Sequence, residues 1–235
     1  MPATIRIGAS GFSYKEWLGR FYPPKLPGAK MLAYYAERLP TVEINYTFRA
    51  MPRRTMLEGW ADKTPPGFRF ALKAPQRITH FARLRVSGET LDYFIQMAHA
   101  LGEHLGPVLF QLPPDLARDD ALLRDFIAQI DGRIRIAFEF RNASWFASPV
   151  FELMRSGGAA ICIAETEKLA TPVQATASHA YLRLRKESYD EPSLSEWAKK
   201  IRNLAAKTDE IFIYFKHEAA APELAIHLKS LIEQN

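Results

Sequence analysis

Ala137–Phe146 reads AFEFRNASWF. The run opens as a buried strand and stops abruptly in a charged, aromatic loop. Glu139 and Arg141 lie two apart and so face one side of a strand, with Phe138 and Phe140 on the other. Taking a carboxylate and a guanidinium out of water is costly unless each is paired. A strand end that keeps both therefore marks a place to look for a site, and similar ends recur along the chain.

Working outward, short runs rich in Ile, Val, Phe or Tyr fall at Thr4–Ala9, Thr41–Asn45, Phe68–Lys73, Val108–Leu112, Arg135–Phe140, Ala159–Ala164, Ala180–Arg185 and Ile211–Lys216. Such runs suit parallel strands buried on both faces. Helix-like runs separate them. Pro52 precedes one to Ala61, Ser148-Pro149 reads as an N-cap and first turn, and Ser193 with Glu196 reads as a capping box opening Leu194–Ala205. Gly106-Pro107 and Gly157-Gly158 read as helix stops, and the longest helix is expected at about Glu89–His104. Eight strands alternating with helices predict one α/β domain over residues 1–235, a (β/α)8 TIM-type barrel, with a doubly wound open sheet as the alternative. Glu165–Ser178 has no helical face, so the sixth helix is expected to be degenerate.

In such a barrel, functional groups gather at the C-terminal strand ends. Those ends supply Ser10, Glu43 with Asn45, Lys73, Gln111, Glu139 with Arg141, Arg183 with Arg185, and Lys216. The pairs two apart put polar groups inward, with Val42/Ile44, Phe138/Phe140 and Leu182/Leu184 outward. Barrels also carry structural ion pairs, so these inward charges meet either a ligand or one another. The loops after the first three strands add aromatics and cations. Gly11–Pro27 carries Tyr14, Trp17, Lys15, Arg20 and Lys25; Tyr46–Met51 carries Phe48 and Arg49; Ala74–Ser87 carries Arg77, His80, Arg83 and Arg85, with only Glu16 opposing across the three. Tyr14, Trp17, Phe48 and Trp145 are the expected aromatic rim. Aromatics among cations suit nucleic acid, whose bases stack while its phosphates pair. The plainer reading is that the aromatics cap the barrel and the cations are solvated.

Composition bounds these readings. The 235 residues are 48% hydrophobic and 24% charged, with a formal net charge of +5. No apolar run approaches the ~20 residues of a membrane span, and MPATIRIGAS has neither a basic n-region nor an apolar h-region, so a cytoplasmic setting is expected. Cys162, the single cysteine, excludes an internal disulfide and a Cys-based metal site, and reads as a small core residue. GxGxxG, GxxxxGK, HExxH and GxSxG motifs are all missing. No cofactor is assigned, and no metal; Glu43, Glu139, His80 and His217 would have to converge to hold one.

Several longer motifs resemble a known family. Gly8–Tyr14 (GASGFSY) with Trp17 and Phe21-Tyr22-Pro23, Val42–Phe48 (VEINYTF), Phe70–Pro75 (FALKAP) through Ile78-Thr79-His80, Gly106–Pro114 (GPVLFQLPP), and Phe138–Arg141 with Ser144-Trp145-Phe146 are similar to the signature of domain of unknown function 72, the YecE-like family. The resemblance covers nearly the whole chain and implies a TIM-type barrel. It implies no particular activity; a link to nucleic acid comes only through likeness to barrel endonucleases. Departures fall at Phe12 in place of Trp, Arg49 in place of Tyr, Leu184-Arg185-Lys186 in place of RLHG after Arg183, and Lys216-His217-Glu218 in place of an FNND-like end.

The expectation is an uncharacterised barrel whose cationic mouth takes an anionic small molecule or nucleic acid. As an enzyme on a phosphodiester or phosphorylated substrate, Lys73, Arg141, Arg183 and Arg185 would hold phosphate. Ser10, His80 and Lys216 would complete the ligand contacts, Asn45 and Gln111 would orient the substrate, and Glu43 and Glu139 would be the acid/base pair. The alternatives are a nucleic-acid-binding protein without chemistry, and a sugar isomerase or hydrolase using the two carboxylates.

Overall fold

Apolar residues on both faces of each strand force every strand to be covered twice, once by helices and once by the other strands. The computed structural model describes residues 2–165, 171–216 and 219–234. Among them, β1 (Thr4–Ser10), β2 (Thr41–Ile44), β3 (Arg69–Lys73), β4 (Leu105–Gln111), β5 (Ile136–Glu139), β6 (Ala160–Glu165), β7 (His179–Leu184) and β8 (Glu210–Phe215) form the sheet. Each is parallel to the next, and β8 pairs with β1 from Thr4↔Glu210 to Ala9↔Phe215, which closes the barrel. Around it run α1 (Gly28–Ala36), α2 (Tyr46–Arg49), α3 (Arg54–Ala61), α4 (Gly88–Ala98), α5 (Asp120–Ile130), α6 (Ser148–Ser156), α7 (Glu191–Ala205) and α8 (Ala221–Glu233). The chain folds as the (β/α)8 barrel that the alternation predicts.

The inside is filled unevenly. Ala71, Ala137, Ala160 and Ala164 face Tyr181, Phe212 and Tyr214, so small residues on β3, β5 and β6 make room for rings from β7 and β8. Cys162 is buried among them, as a small core residue would be. At the N-terminal end, Glu210 is held by Arg6 and Arg135. The buried charges, Glu43, Lys73, Glu139 and Arg183, lie toward the C-terminal end.

Four local expectations need correction. The expected Glu89–His104 helix stops at Ala98 and continues as a tighter 3-10 turn, His99–His104, in which Gly102 has φ 53°; α7, with 15 residues, is longer than α4. Gly106-Pro107 lies inside β4 rather than ending a helix. Pro107 is tolerated because the β3–β4 register shifts there, Phe70 pairing with Leu105 but Leu72 with Val108, and a bulge needs no donor from it. Helix α7 begins earlier than its expected capping box, with the Asp190 side chain accepting from the Ser193 amide. Ser148 is the first residue of α6, not its cap; Ala147 precedes it without a side-chain hydrogen bond. The expected degenerate sixth helix falls partly on residues 166–170, outside the described residues. In residues 171–178 there is no helix. Thr176 instead ties that segment to β6, accepting from Ile161 N at 2.7 Å and donating to Ala159 O at 2.8 Å.

Gly8 marks where β1 and β2 come closest before their ladder starts at Ala9↔Val42. A Cβ there would sit 1.9 Å from Thr41 O. The Tyr35 hydroxyl bridges the same gap, accepting from Ala9 N (2.7 Å) and donating to Thr41 O (2.9 Å). Gly8→Ala must push two strands apart, so a loss of about 3 kcal/mol is expected in urea unfolding, against a near-neutral Gly59→Ala, where a Cβ meets open space.

Candidate functional site: a buried arginine between two glutamates

Period-two alternation turns the last inward residue of each strand into the barrel mouth. Arg183 from β7 crosses it, with 1% of its surface exposed. Its Nη2 donates to Glu43 Oε1 on β2 at 2.9 Å, and its Nη1 donates to Glu139 Oε2 on β5. Each carboxylate is then saturated by neighbours. Glu43 also accepts from Ser10 Oγ and from the Tyr181 hydroxyl at 2.7 Å, while Asn45 Nδ2 donates to Ser10 Oγ at 2.7 Å. Glu139 Oε1 accepts from Gln111 Nε2 at 2.7 Å, and from Arg141 Nε and Arg185 Nη1 at 3.2 Å each.

Burial would raise the pKa of both glutamates, but the cations win. Arg183, with Ser10 and Tyr181, holds Glu43 below its ordinary value. Arg183, then Arg185 and Arg141, bring Glu139 down to about 2. Both are therefore ionised at neutral pH.

The cations outnumber them. Beside Arg183 stand Lys73 on β3, Arg141 just beyond β5, Arg185 just beyond β7, and the exposed Lys216 beyond β8, close enough to feel Arg185 and Arg183. Lys73 is 8% exposed; its Nζ donates to Gln111 Oε1 at 2.9 Å and lies 3.9 Å from the centroid of the Phe48 ring. Burial first, and then Arg183, push its pKa down to about 8. His80 packs edge-on to Phe48 with ring centroids 5.0 Å apart, and its Nδ1 lies 2.9 Å from Thr79 Oγ1. Burial, then Lys73 and Arg141, lower its pKa below the ordinary 6.5.

The structure thus gathers Ser10, Glu43, Asn45, Lys73, Gln111, Glu139, Arg141, Arg183 and Arg185 into one connected group, with His80 and Lys216 at its edge. Tyr181 belongs to it and was missed, although it sits two residues before Arg183 on the same inward face. Among the described residues no three His, Cys, Asp or Glu side chains gather as a metal site would require, and His217 lies outside the described residues.

The aromatic rim is where the expectation fails most. Trp17 and Trp145 are fully buried. Trp17 stacks on Tyr35 and packs against Tyr14, Phe21 and Tyr22, plugging the space beside β1 and α1. Trp145 lies flat on Phe140 at 4.8 Å, and its Nε1 donates to Leu116 O at 2.8 Å. Trp145→Ala removes that stack and hydrogen bond, and a loss of about 3–5 kcal/mol is expected in thermal or urea unfolding. The loop cations are less free than their sequence suggested, because acids from other loops and from α8 answer them. Arg20 pairs with Glu223, Arg83 with Asp115 and Arg85 with Asp119.

Beside Ser10 and Asn45 opens a cavity of about 440 Å³, walled by Phe12, Tyr14, Tyr46, Met56 and Trp60. It is the apolar neighbour of the charged group and touches it through Ser10. Among the described residues, no helix is long and apolar enough to cross a membrane.

Known proteins share this architecture. A DUF72 family protein (TM1631) from Thermotoga maritima superposes with a TM-score of 0.84 at 24% identity, covering 98% of this chain and 99% of that one. A second, EF0366 from Enterococcus faecalis, gives 0.83 at 18% identity over 98% and 96%. YunF of Bacillus subtilis is 33% identical over 156 residues, 63% of this chain and 54% of that protein. YecE of Escherichia coli K12 is 28% identical over 144 residues, 61% and 50%. The matched stretch thus spans about half the length of these curated relatives. The family profile described as "Protein of unknown function DUF72" matches residues 6–235. This chain belongs to the DUF72 family.

Proposed function

We propose that the barrel mouth binds a compact anionic substrate, best a phosphorylated small molecule, and that the protein is an enzyme acting on it. The observation that carries this reading is the charge imbalance. Among the described residues, Glu43 and Glu139 are met by Arg183 alone on their shared axis, yet Lys73, Arg141, Arg185 and Lys216 crowd the same mouth. A cluster with surplus positive charge in a partly desolvated mouth gains free energy when an anion enters. Arg141 and Arg185 each share Glu139 Oε1 at 3.2 Å, long for a charged pair, which leaves donors to turn toward a phosphate. The cavity beside Ser10 would take the apolar part of the same substrate.

In this reading the glutamates do not transfer protons. Carboxylates held well ionised are poor bases and have no proton to give, so their part is to fix Arg183 and Arg185. His80, neutral near pH 7, is the better proton carrier. A nucleic-acid strand is disfavoured as the ligand, since Arg20, Arg83 and Arg85 are paired and Trp17 and Trp145 are not available for stacking.

Calorimetric titration with glycerol 3-phosphate and with a single-stranded oligonucleotide separates these ligands. The small phosphate is expected to bind, and Arg141→Ala to weaken it about tenfold, the value of one charge-assisted hydrogen bond. Tight, steeply salt-dependent oligonucleotide binding with no response to glycerol 3-phosphate would return the nucleic-acid reading to first place.

A further inference from the structure

One amine in the mouth is not accounted for by anion binding alone. Other lysines here find carboxylates, Lys186 on Glu165 at 2.7 Å and Lys200 on Glu196 at 2.6 Å. Lys73, far more buried, has no ion-pair partner among the described residues; it has an amide oxygen on one side and a phenyl ring on the other. Gln111 cannot turn to offer anything else, because its Nε2 is engaged by Glu139. A lysine kept out of water, beside guanidinium groups, and with the nearby Glu43 and Glu139 both paired to Arg183 rather than to it, is the arrangement that turns an ammonium into a nucleophile.

We propose that Lys73 is a catalytic amine that condenses with the carbonyl carbon of a phosphorylated aldehyde or ketone. The reading of the mouth as an anion site supplies the phosphate; the amine chemistry stands on the surroundings of Lys73. The neutral amine adds to the carbonyl carbon, forming the C–N bond as the C=O π pair moves to oxygen. Proton transfer from nitrogen to that oxygen gives a carbinolamine, and a second proton, for which His80 packed on the same Phe48 ring is the carrier, lets the oxygen leave as water. Amine, carbonyl and one proton thus become a protonated imine and water, and hydrolysis reverses the step. The protonated imine carries the same positive charge as the ammonium did, so its contacts with Phe48 and with Gln111 Oε1 are kept. The surroundings also supply the neutral form. A pKa of about 8 in place of 10.5 leaves roughly 300-fold more free amine near neutral pH than an exposed lysine has.

The experiment is reductive trapping. Wild-type protein is incubated at pH 7.5 with glyceraldehyde 3-phosphate and sodium cyanoborohydride, whose hydride reduces the imine to a stable secondary amine, and the labelled lysines are mapped by peptide mass spectrometry. Label is expected on Lys73 at least tenfold faster than on any other lysine. It should slow with unphosphorylated glyceraldehyde or with added inorganic phosphate, and vanish from that site in Lys73→Arg. Equal labelling of Lys73, Lys186 and Lys200, or none on Lys73, overturns the proposal. Because the map is made on the wild type, it does not depend on how the variant folds. The two readings fail separately: calorimetric phosphate binding without Lys73 label sinks the amine alone. Label on Lys73 that ignores the phosphate group and the competitor supports the amine and sinks the anion site.

Discussion

Arg183→Met is expected to cost about 3–5 kcal/mol of folding stability, the largest effect of any substitution at the mouth. Among the described residues Arg183 alone reaches both Glu43 and Glu139, and removing it leaves two buried carboxylates facing each other across the barrel. Arg141 and Arg185 still reach Glu139, but Glu43 is left with Ser10 and Tyr181, and neutral donors do not balance its charge. Methionine fills much of the volume, so the loss measures electrostatics rather than a cavity. A triple variant, Glu43→Gln, Glu139→Gln and Arg183→Met, should recover a large part of it, because removing the buried carboxylates together with the arginine between them is far cheaper than removing the arginine alone. Urea unfolding at pH 7 reads both. Should the single and triple variants lose the same free energy, the side chains would be acting through packing and not through charge.

The second large effect is on acid stability. Glu139 titrates near 2 in the folded protein against an ordinary 4.5. A depressed folded pKa stabilises wherever the unfolded group is ionised, so the contribution is complete above about pH 5 and drains away as pH falls toward 2. The shift corresponds to about 3 kcal/mol. Glu139→Gln removes that carboxylate. The variant should be less stable at pH 7 yet lose less on going from pH 5 to pH 3, and the two stability curves should converge in acid. Curves that run parallel from pH 7 to pH 3 would mean that Glu139 is not the group whose protonation drives acid unfolding.

Much of this is legible in the sequence. Short β-branched and aromatic runs between helical patterns gave away the barrel, and the two-residue spacing in Glu43/Asn45, Glu139/Arg141 and Arg183/Arg185 placed charges on its inner face. Periodicity reports which face a residue takes, and for a strand that is nearly the whole answer. It says nothing of who meets whom across a closed barrel. That Arg183 links β2 to β5 through their glutamates follows from closure and register, and Tyr181 entered the group the same way. Exposure was the other blind spot. Trp17 and Trp145 sit in loops, which favours a surface reading, yet each has tertiary neighbours that no local pattern encodes. The same holds for Arg83 and Arg85, whose acids lie over 30 residues away in the chain. Pro107 inside β4 shows the converse: a residue that normally breaks strands is admitted where a register shift has already removed the need for its N–H.

The claim on which the functional reading rests is that an uncompensated, partly desolvated cation cluster waits at the mouth for an anion. The most direct test is a 13C NMR pH titration of protein labelled at the lysine ε-carbons, with Lys73→Arg to assign the resonance, before and after saturation with inorganic phosphate. One lysine is expected to titrate near 8, to be missing in the variant, and to move upward when phosphate binds, as an anion stabilises the ammonium form. A Lys73 resonance that titrates near 10.5, or one that phosphate leaves unmoved at every concentration, would contradict the account.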